Sequence, residues 1–412
     1  MSQRILKVTT FDTAPPLLPQ HGVAKRALAS QVGNNRLLPE NLTKVKNTAE
    51  IPKSLRCICP SQDTLKIKSK IRSISYNSTG SRLYIATRDV IYLLNTQTLA
   101  VDFSLSVKCT MLIAHPKLPD CFALLLQGTN SSKPSVKIYE VKKNTKNLKG
   151  ELVVTHVITS AFEDSWYTGC WSLDGRFIAL VDRDDILQFV DLNECIQNVN
   201  KELQKEHSIK LDCEAYGLLY TLDSLIIQRV DGAIQIINDS KDSIVERAHS
   251  HIVTAASFSK STNILATGGS DHVVNIFDIN EDYTCVGTFP RIEGQISSLS
   301  FSTDGTFLAW GTKDTAATLD LQAGSYSTTS DLSMHRDDKL GGSGNDVATE
   351  DFSLTVAAIN PCEIYYQHNT PCSVTHVAFS PNKYVIAYAC DFDAFPKSGH
   401  STHSNLVGFL HL

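Results

Sequence analysis

Residues His249–Asp278 read HSHIVTAASFSKSTNILATGGSDHVVNIFD, and this stretch decides the fold. Three of its segments, Val253–Phe258, Ile264–Thr267 and Val273–Phe277, are apolar or alternate apolar with small polar residues, as strands do. Lys260-Ser-Thr-Asn263 separates the first two, and Gly268-Gly-Ser-Asp271 separates the second from the third. Connections this short reverse a strand and leave no room for a crossover helix, so the unit is an antiparallel meander.

The same unit recurs along most of the chain. One copy runs through Ile71–Tyr76, Arg82–Ala86 and Val90–Leu94, with Ser78-Thr-Gly80 and Arg88-Asp89 in its turns. Another has Cys170-Trp171, Leu173-Asp-Gly175, Phe177–Val181 and Ile186–Val190, followed by a more degenerate copy in Ser224–Gln228 and Ala233–Ile237. After the decisive stretch come Ile296–Phe301, Thr303-Asp-Gly305, Phe307–Ala309 and, as an expected third strand, Ala317–Leu321. Met111–Val141 lacks the turn aspartate, and Val374–Leu412 has a longer second hairpin. The turn residues Asp185, Asp231, Asp271 and Asp314 fall 40 to 46 apart, and Asp89 lies about two such steps before Asp185. That period is the WD repeat's. The expected fold class is therefore all-β: a seven-bladed WD-repeat β-propeller. An α/β fold is excluded, because it needs helical patterns between the strands.

The seventh copy stops at its third strand, and Thr64–Lys68, just before the first copy, alternates as an edge strand should. Pairing the two closes the ring and protects an open edge. Residues 63–412 are thus expected to be the propeller, and residues 1–62, with scattered prolines and lysines and no sustained period, a flexible or partner-ordered extension. Residues 325–360, which include Gly341-Gly-Ser-Gly344, read as a polar loop insertion in blade six, and Lys397–Ser404 as an extended hairpin in blade seven.

The composition narrows the function classes. Forty-three acidic against 38 basic residues leave a net charge of -5, so there is no global basic field for nucleic acid. Apolar runs such as Phe122–Leu126 are far short of a membrane span. The eleven cysteines sit mostly in apolar stretches, as small hydrophobes of a reducing compartment do. Cys57 and Cys59 are the one close pair and have no second pair at zinc spacing.

His249, Thr267, Asp271 and Phe277 occupy the places of the WD repeat's His, Ser/Thr, Asp, Trp set. The same groups orient a catalytic imidazole in hydrolases. Here they are expected to tie a turn to its strands, with Phe277 lacking the indole donor. His400 and His403 have no thiolate or carboxylate support, so neither a metal nor any other cofactor is expected. No phosphate-binding glycine loop or zinc-protease motif occurs, and no enzyme activity is expected. Lys142, Lys143, Lys146 and Lys149 are candidates for RNA phosphates, against the plainer reading of a solvated loop. Arg88, Arg247, Arg291 and Lys313 lie on or near loops of the face bearing the Asp turns and are candidate partner contacts. Trp166 either anchors an interface or packs in the core or channel, like Trp171.

The later copies carry a narrower signal. Thr284-Cys-Val-Gly-Thr-Phe-Pro-Arg291, Ile296–Gly305, Cys372–Pro381 and Ile386-Ala-Tyr-Ala-Cys-Asp391 resemble the family of third subunits of the THO complex. The resemblance runs from about residue 70 to 412 and fails for the N-terminal extension and the blade-six insertion. It implies a nuclear scaffold of the transcription-export assembly, helping to package nascent mRNA and couple it to export. Its implied partners are the other THO subunits, above all the large helical scaffold subunit, and a DEAD-box RNA helicase in the same assembly. RNA contact would be indirect, with no membrane and no small-molecule substrate. The alternative is a propeller that recruits substrates to a modifying enzyme such as a ubiquitin ligase. Those receptors commonly carry an arginine shortly after the Trp-Asp that ends a third strand, which Phe277-Asp-Ile-Asn280 and Val190-Asp-Leu-Asn193 lack.

Overall fold

The computed structural model describes residues 65–67, 69–128, 133–143, 150–160, 165–192, 200–203, 208–238, 243–290, 292–313, 352–360, 362–370, 372–391 and 405–412. Their strands form seven separate sheets. Five are antiparallel meanders in chain order, a sixth adds a parallel fifth strand to such a meander, and the seventh takes its outer strand from the segment that precedes blade one. The inner strands begin at Ile71, Cys109, Trp166, Ala215, Val253, Gln295 and Val374, and each contacts the next, the last returning to the first. This is the expected seven-bladed ring.

Closure follows the expected pairing. Leu65–Ile67 lies antiparallel to Asn405–His411, with Leu65 opposite Val407, Lys66 opposite Leu406 and Ile67 opposite Asn405. Ile67 is buried among Ile71, Val407 and Phe409, and Leu65 packs against the same cluster. Asn405 Nδ2 also donates to the Ser69 carbonyl at 2.9 Å, fastening the chain where it turns into blade one.

Each seam between neighbouring blades holds one apolar cluster. The period of two explains how one strand serves two seams. In blade five's second strand (Ile264–Gly269), Ile264 and Ala266 pack towards blade six and Leu265 towards blade four. Second strands are covered on both sides, so they read as continuous apolar runs. Inner strands of adjacent blades share no ladder, and serine hydroxyls bridge them instead. Ser73 Oγ accepts from the Leu112 amide at 3.1 Å, Ser298 Oγ from Val377 at 3.0 Å, and Ser300 Oγ from Phe379 at 2.9 Å.

Two blades depart from expectation. In blade six the third strand is Phe352–Ala358, paired with Phe307–Lys313, and Glu363–Thr370 is the fourth. Ala317–Leu321, expected in the third place, lies outside the described residues, and part of the expected 325–360 insertion is strand. Both segments alternate, but Leu354, Val356 and Ala357 supply the apolar side chains that two seams bury. Blade two gains a fifth strand: Asn200–Glu202, from the connection that follows blade three's third strand, runs parallel to Gly150–Thr159. The extension 1–62, Cys57, Cys59, His400 and His403 all lie outside the described residues.

Candidate functional site

The end of each second strand pairs with the beginning of its inner strand, as Thr87 does with Ile71 and Gly269 with Val253. The turns into the third strands therefore share a face with the mouth of the central channel. In blade five this face is held by the predicted polar set. His249 Nδ1 lies 2.9 and 3.2 Å from the Asp271 carboxylate oxygens, and Nε2 lies 2.8 Å from Thr267 Oγ1. The Ser250 amide donates to Asp271 Oδ2 at 2.9 Å. Burial pushes the Asp271 carboxyl pKa up, but the bonds from His249 and Ser250 outweigh it and hold it below its usual value. Both imidazole nitrogens are engaged inside the protein, and His249 is buried. Such a set satisfies its own polar atoms and leaves none for a substrate. Phe277 is buried among Ile226, Val253 and Leu265 and takes no part in it.

A family model described as WD domain, G-beta repeat matches residues 242–278, which contain this set. The protein is a seven-bladed β-propeller, and the segment that matches the WD model includes the first three strands of its fifth blade. Among curated relatives, THO complex subunit 3 of Arabidopsis thaliana is 21% identical over 259 residues, 60% of this chain and 75% of the relative. Among solved structures, the Cps50 (Swd1) β-propeller domain of Myceliophteria thermophila matches with a TM-score of 0.57 at 13% identity, over 85% of this chain and 98% of that one. At that identity the match speaks for the fold alone.

The other turns of the propeller use different chemistry. In blade four, Asp231 Oδ2 takes Arg229 Nη2 at 2.8 Å, and Arg229 Nη1 meets Asp212 at 2.8 Å. In blade three, Asp185 sits in the turn with φ 56°, but the tying carboxylate is Asp182. Asp182 Oδ1 accepts from the amides of Asp184 and Ile186 at 3.0 and 2.9 Å. In blade one, Asp89 is exposed, and Thr87 Oγ1 takes its place by accepting from the Val90 amide at 3.0 Å. Asp314 lies outside the described residues. The 40-residue register located these turns, but a side chain two or three residues upstream can close the same turn.

Of the candidate contacts, Trp166 is corrected. It is 0% exposed, packs with Leu125, Val136 and Ile158 in the seam between blades two and three, and donates from Nε1 to Gln188 Oε1 at 2.9 Å. Opening an inner strand beside a bulge turns its indole into the seam and away from solvent. Arg88 is exposed in the blade-one turn. Arg247 is exposed too, with Nη1 3.3 and 3.4 Å from the carbonyls of Asp231 and His249. Lys313 is half-buried, and Arg291 lies outside the described residues. Lys142 is exposed and 3.7 Å from Glu140; of Lys143 only the backbone is described, and Lys146 and Lys149 lie outside. Among the described residues no group of three His, Cys, Asp or Glu is placed to hold a metal, and no helix is long and apolar enough to cross a membrane.

One series at the channel mouth went unread in the sequence. Every inner strand carries a β-bulge beside its first or second pair, at Arg72, Thr110, Tyr167, Tyr216, Thr254, Ser297 and Thr375. Thr110 Oγ1 lies 3.1 Å from the Leu125 carbonyl of its own blade and 3.2 Å from the Trp166 carbonyl of the next. Thr254 and Ser297 repeat this towards Ile296 and Val374, and the Tyr167 hydroxyl donates to Ala215. Arg72 and Tyr216 break the series and are exposed at the rim. The readable signal was a hydroxyl straight after the first apolar residue, as in Cys109-Thr110, Val253-Thr254, Ile296-Ser297 and Val374-Thr375.

Proposed function

We propose that this chain is a non-catalytic scaffold subunit of a THO-like complex, acting in the nucleus in mRNA packaging and export. The observation that carries the scaffold part is the His249–Thr267–Asp271 set: among the described residues, this constellation resembles an acid–base site, and it spends its bonds on its own turn. What remains for function is a closed ring presenting loops on a fixed frame, which suits recognition without chemistry. The similarity to THO complex subunit 3 supports the assembly assignment. The partners of this reading are the large helical THO subunit and the helicase-bearing assembly around it, with RNA reached through them.

Affinity purification of the tagged full chain from nuclear extract, followed by mass spectrometry, tests this. The expected result is enrichment of THO subunits that survives nuclease treatment. Recovery of cullin-type ligase subunits without THO subunits would replace it with the substrate-receptor reading.

A further inference from the structure

Each blade passes from its inner to its second strand through a short turn on the face opposite the Asp turns. One residue closes that turn by donating its amide to the carbonyl that opens the second strand: Asn77, His115, Ser172, Thr221, Ser302 and Ser380. In blade five the place belongs to Ser259, opposite Ile264 in the ladder. Six of the seven are hydroxyls or a carboxamide, which do not titrate, and blade two alone carries an imidazole. The side chain at this place also accepts from the turn: Arg82 donates its amide to Asn77 Oδ1 at 3.0 Å, and Phe177 and Phe307 donate theirs to Ser172 and Ser302 Oγ at 2.9 Å. His115 Nδ1 accepts twice, from the amides of Lys117 at 3.1 Å and Leu118 at 2.9 Å.

Two amide donors fix the tautomer, because a ring nitrogen that accepts them carries no proton. The proton sits on Nε2, and the ring is hydrogen-bonded to the Gly175 backbone of blade three, where a carbonyl is the acceptor. The fit is close: a Cβ at Gly175 would lie 2.5 Å from Nε2, and the ring meets Trp171 with centroids 4.7 Å apart. The turn that His115 shapes also holds blade one. Its Lys117 carbonyl accepts from Ser78 Oγ at 3.1 Å, and its Pro119 carbonyl accepts from Asn77 Nδ2 at 2.9 Å and the Tyr84 hydroxyl at 2.7 Å. Burial, and then the charge of Lys117, hold the imidazole pKa below its usual value, against the Gly175 bond and the carboxylate of Asp174. Burial pushes the Asp174 carboxyl up, but bonds from Ser172 and the Arg176 amide outweigh it and keep it ionised. Arg82 of blade one pairs with Asp120 at the turn's far end. A pocket of about 250 Å³, lined by His115, Pro116 and Ser78, brings solvent to the ring.

We propose that His115 is a proton-operated latch: with Nδ1 bare it clamps blades one, two and three together on this face, and with Nδ1 protonated it releases the turn Pro116–Asp120. A protonated Nδ1 is a donor facing two donors, so the bonds from Lys117 and Leu118 are lost with it. The carbonyls that hold Ser78, Asn77 and Tyr84 belong to the same turn and loosen with it. The closed turn excludes the proton, and the open turn takes it up at the ordinary value near 6.5. The latch therefore contributes fully above about pH 6.5 and weakens as pH falls towards the lower value of the closed turn. Between pH 7.5 and 5.5 the open turn gains by up to about tenfold.

Hydrogen exchange on the full chain at pH 7.5 and 5.5, corrected for intrinsic rates, tests this. At pH 5.5 the Lys117 and Leu118 amides should lose at least about threefold in protection, while the blade-seven turn Ser380–Tyr384, closed by a serine, keeps its own. His115→Asn puts a carboxamide oxygen close to the place of Nδ1 and does not titrate. In that variant the same amides should be protected equally at both pH values, and its Tm should gain on the wild type's as pH falls. The wild-type comparison of the two turns decides the matter alone if His115→Asn fails to fold. Equal protection of Lys117 and Leu118 at both pH values, an equal loss in the blade-seven turn, or a loss that persists in folded His115→Asn would overturn the proposal.

Discussion

Ile67→Ala should weaken the whole ring, although it alters a three-residue strand at the described N-terminal end. Ile67 is 4% exposed and packs with Ile71, Val407 and Phe409, in the seam that joins blade seven to blade one. Truncating a buried isoleucine costs about 2–5 kcal/mol, and a short strand that can shift towards the space sits near the low end, at about 3 kcal/mol. At about 2.1 cal/mol/K per residue across residues 65–412, that corresponds to a fall in Tm of about 4 °C. Lys66→Ala, an exposed position in the same strand, is the control and should move Tm by less than about 1 °C. Calorimetry gives the Tm, and hydrogen exchange gives the location. In Ile67→Ala, amide protection should fall along Asn405–His411, whose ladder partner is loosened. If Ile67→Ala melts like the wild type while Val407→Ala does not, the N-terminal strand does not close the ring.

Other expectations follow from the polar contacts. His249→Ala leaves Thr267 and Asp271 without their shared partner in a buried place and should cost about 2–3 kcal/mol in urea titrations, with Asp271→Asn adding little on top of it. The lowered Asp271 pKa stabilises the fold above the unfolded carboxylate value near 4, and this is lost as pH falls through the folded value. The stability gap between wild type and Asp271→Asn should therefore close below about pH 4. Gly232→Ala should cost more than about 2 kcal/mol by thermal melting, because φ is 90° and a Cβ there would lie 2.5 Å from the His249 carbonyl. Trp166→Phe strips Gln188 Oε1 of its indole donor and should lower stability by about 1–3 kcal/mol in the same assay.

The blade count was legible because the turn residues keep a period near 40 and because strands covered on both faces cannot hide their apolar runs. The closing strand was legible for a related reason: Leu65 and Ile67 alternate with Lys66, as an edge demands. The third strand of blade six was not, because Ala317–Leu321 alternates as well and only the depth of the seams selects Phe352–Ala358. Asp185 and Asp182 are both carboxylates in one turn, and which of them caps it is a matter of backbone direction that spacing does not encode. Trp166 was ambiguous because an aromatic beside an inner strand serves a seam or a surface equally well until the bulge turns it.

Reconstitution tests most directly whether this propeller acts as the proposed scaffold. The purified full chain, mixed with the large helical THO subunit and run on size-exclusion chromatography with light scattering, should elute as one stoichiometric complex, and Thr267→Val, which removes an internal hydroxyl, should enter it as well as the wild type does. Separate elution of the two proteins, or a Thr267→Val chain that assembles fully yet loses the cellular mRNA-export function, would contradict it.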